Sequence, residues 1–150
     1  KMASVKGTEL TNIDATPTVK ISSEVAGGKL RVFHGTYEAA SLASGSDISI
    51  ARIPTNATIH DVIIKCDALG GSSTLKIGTA ADDDLFIAAT GTWNVAGQTQ
   101  SILAGSSTGA PIATITGVGH RTTAVTDVII TTGGATISGS IKCIVVYSVE

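Results

Sequence analysis

Residues 136–150 read TISGSIKCIVVYSVE, and their spacing decides the fold. Ile141, Cys143, Val145, Tyr147 and Val149 recur at every second position. A period of two belongs to a strand, whose successive side chains point to opposite faces. A helix would need apolar residues at three- and four-residue steps, and this run does not supply them. Just before it, GGA at 133–135 reads as a tight hairpin turn, with TDVIITT at 126–132 as the preceding strand.

Working outward, PTNATIHDVIIKCDA at 54–68 holds a turn and then a long strand. On it Val62, Ile64, Cys66 and Ala68 share one face. TLKIGTA at 74–80 places Leu75 and Ile77 together, and LFIAAT at 85–90 resumes the pattern. KLRVFHGTYEA at 29–39, DISIARI at 47–53, QSIL at 100–103 and APIATITG at 110–117 complete the set. No segment of helical length carries a 3.6-residue apolar period. Roughly eight or nine short strands, with turn residues about every 8–14 positions, predict an all-β chain. The expected architecture is an antiparallel two-sheet sandwich, jelly-roll-like, with an extended N-terminal arm. An immunoglobulin-like sandwich fits less well, because Trp93 lies in the loop-like GTWNVAG and no Cys–Trp–Cys arrangement surrounds it.

Composition agrees with strands. Of 150 residues, 43% are hydrophobic but only 3% aromatic, so the apolar content is aliphatic. Ile, Val and Thr favour strands, and the 17 glycines supply turns. Charged residues make up 15%, below the roughly 25% of an average globular chain. So low a charge fraction predicts that part of the surface is covered by a partner or by copies of the chain. The net charge is −2, with no basic patch to attract nucleic acid. The apolar runs are too short for a membrane-spanning helix. KMASVKGTELTNIDATP, at the start, lacks the apolar central region of a secretory leader.

Residues 1–28 are polar and contain Pro17 and the glycine pair 27–28. They are expected to form the arm, with 29–150 as the β-sandwich domain. Val5, Leu10, Ile13, Val19 and Ile21 are spaced too widely for a core of their own. They are the candidates for anchoring on a partner's surface, where backbone hydrogen bonds supply affinity and alternate side chains supply specificity.

GTAADDDLFIAAT at 78–90 carries three adjacent carboxylates, Asp82, Asp83 and Asp84. Hard cations take such ligands, which makes these residues the candidate metal site. The spacing lacks the alternating ligands, central glycine and terminal glutamate of a calcium-binding helix–loop–helix. In extended chain, neighbouring aspartates would also point to alternate sides. The expected role is a solvated turn whose charges resist edge-to-edge association, so no metal and no cofactor are expected. His34, His60 and His120 fall on separate elements without ligand spacing. Gly-x-Ser-x-Gly spacing occurs at 105–109 (GSSTG), but no helical pattern follows it, so no Ser has a nucleophile-elbow context; no phosphate-binding glycine loop is present, and no catalytic residue is assigned. Cys66 and Cys143 fall on inward faces and read as small hydrophobes.

The runs LKIGTAADDDLFIAAT and TDVIITTGGATISGSIKCIVVYSVE, with ARIPTNATIHDVIIKCDA before them, resemble small virion proteins of tailed bacteriophages. The resemblance spans roughly residues 29–149. It implies a jelly-roll capsid decoration or cement protein, not an enzyme. Such a protein would be made in the host cytoplasm and would bind across neighbouring major capsid subunits on the shell surface. It would self-associate as a trimer or dimer. Two alternatives remain open: a carbohydrate-binding module of a tail fibre or receptor-binding protein, and a small cupin-like enzyme. The first would want aromatic platforms and the second clustered His and Glu ligands.

Overall fold

Four antiparallel strand pairs nest around one turn. The computed structural model describes residues 3–18, 30–91, 93, 96–102 and 117–149. In chain order its elements are β1 (Ser4–Lys6), α1 (Thr8–Asp14), β2 (Leu30–Leu42), β3 (Asp47–Ile53), β4 (Ala57–Cys66), β5 (Thr74–Gly78), β6 (Ile87–Thr90), β7 (Gln98–Ser101), β8 (His120–Arg121), β9 (Thr126–Gly133) and β10 (Ile137–Val149). The innermost pair is β5 with β6, enclosed by β4 with β7, then β3 with β9, then β2 with β10. Rolling this ribbon makes further pairs, β10 with β4 and β9 with β5. Two sheets result, β2-β10-β4-β7 and β3-β9-β5-β6, the strand order of a jelly roll. Two short strands extend them. β8 pairs with β4, and β1 lies parallel to β3 at the edge of the second sheet.

The alternation read from the sequence is the one that builds the core. Ile141, Cys143, Val145 and Tyr147 of β10 are buried, as are Val62, Ile64 and Cys66 of β4. They face Ile48, Ile50 and Ile53 of β3, Leu75 and Ile77 of β5, and Val128 and Ile130 of β9 within one cluster. Ala68 is exposed, because β4 ends at Cys66. Register shifts adjust the pattern. The shift between Ser49 and Ala51 lets consecutive Ile50 and Ala51 both turn inward, as an extra bulge residue does. Gly35 of β2 allows the two sheets to approach there, since a Cβ on it would lie 2.3 Å from the Ile50 carbonyl oxygen.

GGA at 133–135 does not close a hairpin. β9 and β10 belong to different sheets, and the turn carries the chain across the sandwich. β10 has longer partners in β2 and β4 than β9 could offer, and its register along them is nearly continuous. The strand expected at 110–117 lies outside the described residues except for Gly117.

Two threonines hold the connections. Thr132 Oγ1 accepts from the Ser46 amide at 3.0 Å and lies 3.0 Å from the Ala43 carbonyl, fixing the β2–β3 turn. Thr122 Oγ1 accepts from the Ala57 amide at 2.9 Å and donates to the Pro54 carbonyl at 2.6 Å, fixing the β3–β4 turn. Both side chains are buried, where each polar atom needs a partner.

Candidate functional site: the aspartate turn and the docked N-terminal segment

The three aspartates lie in the turn between β5 and β6, at the centre of the nested ribbon. The chain leaves β5 at Gly78 and folds straight back over it. The Thr79 amide donates to the Asp82 carbonyl at 2.7 Å, and the Phe86 amide donates to the Ile77 carbonyl at 2.9 Å. A Cβ on residue 78 would lie 2.2 Å from the Asp82 carbonyl oxygen, so this turn requires glycine there.

Because the backbone turns, the carboxylates do not alternate as they would in an extended strand. One oxygen from each of Asp82, Asp83 and Asp84 lies within 4.8 Å of the others. All three residues are exposed. Asp83 is hydrogen-bonded to the Lys76 ammonium, which holds the lysine above its usual range. A hydrogen bond with Asp82, partial desolvation and the surrounding negative charge raise the Asp84 carboxyl. Lys76 pairs with the cluster through Asp83. The cluster's oxygens could hold a hard cation.

The histidines stay apart. His34 is exposed on β2, His60 Nε2 lies 2.9 Å from Ser148 Oγ, and the His120 ring stands edge-on to Phe86 with centroids 6.1 Å apart. An open groove of about 640 Å³ runs beside the aspartate turn between Ala80, His120 and Val125. Its Arg52 is engaged by Asp127 through two hydrogen bonds of 2.7 and 3.0 Å. Among the described residues there is no nucleophile–base pair in it. Cys66 and Cys143 are free thiols. Burial pushes the Cys66 thiol up to about 11 and the Cys143 thiol higher, so neither is a thiolate at neutral pH.

The N-terminal segment is built into the fold. β1 pairs with β3 from Ser4↔Asp47 to Lys6↔Ser49, and the Gly7 amide donates to the Ser49 carbonyl at 2.7 Å. α1 then lies against β2 and β3, across the open side of the sandwich. Leu10 is fully buried beneath it, while Val5 and Ile13 are half-buried and pack on the core. The surface role expected of Leu10 is therefore corrected, since its apolar area is already removed from water within this chain. Val19 and Ile21 lie outside the described residues. Asp14, at the end of α1, joins Lys6 at 2.6 Å and Arg52 at 2.8 Å. Those two cations, Lys6 first, hold its carboxyl below the usual range.

Trp93 belongs to the core cluster. It lies in a loop, as its sequence context indicates, yet it is fully buried. The Leu69 amide donates to its carbonyl at 2.9 Å. Phe33, Phe86 and Tyr147 are buried as well, and Tyr37 is half-buried. Among the described residues no aromatic platform faces solvent.

No protein-family model matches the sequence. No curated protein matches it either. Solved structures do. A chain of the capsid of Ralstonia phage GP4 aligns with a TM-score of 0.65 at 16% identity, covering 99% of both chains. A chain of the cyanophage Pam1 capsid asymmetric unit gives 0.62 at 22% identity, covering 88% of this chain and 93% of that one. A chain of the acid-stable capsid of Helicobacter pylori bacteriophage KHP30 gives 0.58 at 10% identity, covering 81% and 89%. The chain therefore shares a β-sandwich fold with chains found in phage capsids.

Proposed function

We propose that this protein is a non-enzymatic structural component of a phage virion that decorates and cements the capsid shell. The observation that supports it most is the match with a chain of the GP4 capsid along 99% of both lengths. That likeness takes in the described N-terminal segment as well as the sandwich. The low charge fraction agrees with a surface covered by partners. The mechanism is additive. Each copy bridges neighbouring major capsid subunits at the outer surface, and many modest interfaces act together because the shell holds them in register. The buried aromatics favour this reading over carbohydrate binding, which uses exposed rings.

Purified protein mixed with assembled shells that lack it should co-sediment with them at a saturating ratio. The decorated shells should resist heat or internal pressure better than bare ones. Failure to bind either mature or immature shells, beside an intact folded protein, would overturn the proposal.

A further inference from the structure

The two sides of the sandwich are closed differently. On one side the sheets end in β6 and β7, four residues each. On the other side, without β1, they would end in β2 and β3, thirteen and seven residues long. Very short edge strands offer little to pair with, whereas long ones present rows of unpaired amides and carbonyls that template another chain. β3 reads DISIARI, rich in isoleucine and without proline, which suits such pairing. The N-terminal segment lies on this long-edged side. Over residues 47–49 it caps β3: the Asp47 amide donates to the Ala3 carbonyl at 3.2 Å, and the Ser49 carbonyl accepts from the Gly7 amide at 2.7 Å. Gly7 then passes between the two long strands, where a Cβ would lie 3.2 Å from both Ile50 Cα and the Thr36 carbonyl oxygen. Beyond it α1 lies against β2 and β3.

The segment is fastened so that it can open ahead of the core. Three residues of parallel pairing and seven of helix are weak by themselves. Leu10 is fully buried but lies outside the core cluster. Asp14 ties α1 to Arg52 of β3, which Asp127 of β9 also holds. We propose that β1 and α1 form a strap that guards the edges of β2 and β3. The strap opens while the sandwich stays folded, and its opening controls whether a strand of another chain can add to β3. The inference does not depend on capsid binding.

Two substitutions in the full chain test it by different routes. Leu10→Asp puts an unpaired charge at the buried point of the strap. Asp14→Lys sets a third cation beside Lys6 and Arg52 and leaves every core residue in place. Hydrogen exchange at the Gly7 and Thr11 amides should accelerate in both, with β4 and β10 still protected. Light scattering should then show Leu10→Asp associating at least about tenfold faster than the wild type, since loss of one buried leucine raises the open population by that factor. Asp14→Lys should do the same by a smaller factor. Ser49 is the place to block the edge, because it faces outward on β3 between the buried Ile48 and Ile50. Adding Ser49→Lys to either variant should return association to the wild-type rate while the strap amides stay fast, because a charge on an edge opposes pairing. A strap that opens without faster association overturns the proposal, and so does association that Ser49→Lys leaves unchanged. Strap amides that keep their protection in both variants, or that accelerate in Asp14→Lys only together with those of β4, also overturn it.

Discussion

At the scale of single residues, the aspartate turn is a device of geometry more than of charge. Gly78 admits the returning backbone, and Thr79 and Asp82 close it by a main-chain hydrogen bond that does not involve the carboxylates. Replacing Asp82, Asp83 and Asp84 together by asparagine should therefore leave the melting temperature within a few degrees of wild type, as exposed substitutions usually do. Added Ca²⁺ should leave the wild type unchanged as well. A calcium-dependent rise of about ten degrees would instead reveal a bound cation, since a ligand confined to the folded state stabilises it. The sequence showed the turn because Gly, Asp and the flanking alternation are local signals. It could not show that the three carboxylates converge, which depends on the tightness of the fold-back. Nor could it single out Thr122 and Thr132. Threonine is common in strands, and nothing near either residue indicates which one reaches across to a distant turn.

At the scale of elements, β1 and α1 depend on three kinds of contact, the pairing of β1 with β3, the burial of Leu10 and the ion pairs around Asp14. Seven residues make only two helical turns, so Leu10 and Ile13 carry too short a pattern to be read as a helix in advance. The ion pairs make the docking sensitive to acid. Asp14 titrates below its unfolded value of about 3.9, so its contribution is present above that pH and is lost as the pH falls through the folded-state value. Hydrogen exchange at the Gly7 and Thr11 amides, which bond to Ser49 and to Gly7, should accelerate in strong acid before that of β4 and β10. Asp14→Asn should remove the acid step and leave those amides less protected at neutral pH. Equal protection of all three elements throughout the titration would contradict this account. The same scale explains the misread turn at 133–135. Two adjacent strands with glycines between them predict a hairpin locally, but β10 finds more partner length in β2 and β4.

At the scale of the whole molecule, the strands were legible and their partners were not. Alternation is written within ten residues, whereas Leu30 pairs with Ser148 from the far end of the chain. The architecture followed from the number and spacing of strands, and the nesting only from the coordinates. That nesting also has a consequence in time. β5 and β6 can meet at once, but every later pair must wait for the ends of a longer loop to find each other, at growing entropic cost. Topologies dominated by such distant pairings refold in roughly milliseconds to seconds, far slower than helical bundles. Stopped-flow refolding should fall in that range. Truncating Ile77 or Ile87 in the innermost hairpin should slow refolding, while truncating Val145 or Phe33 in the outermost pair should mainly speed unfolding. The reverse assignment would show that the ribbon starts to close from its ends. In the predicted order, the last strands to settle are β2 and β10, so a growing chain cannot complete this sandwich until β10 has left the ribosome.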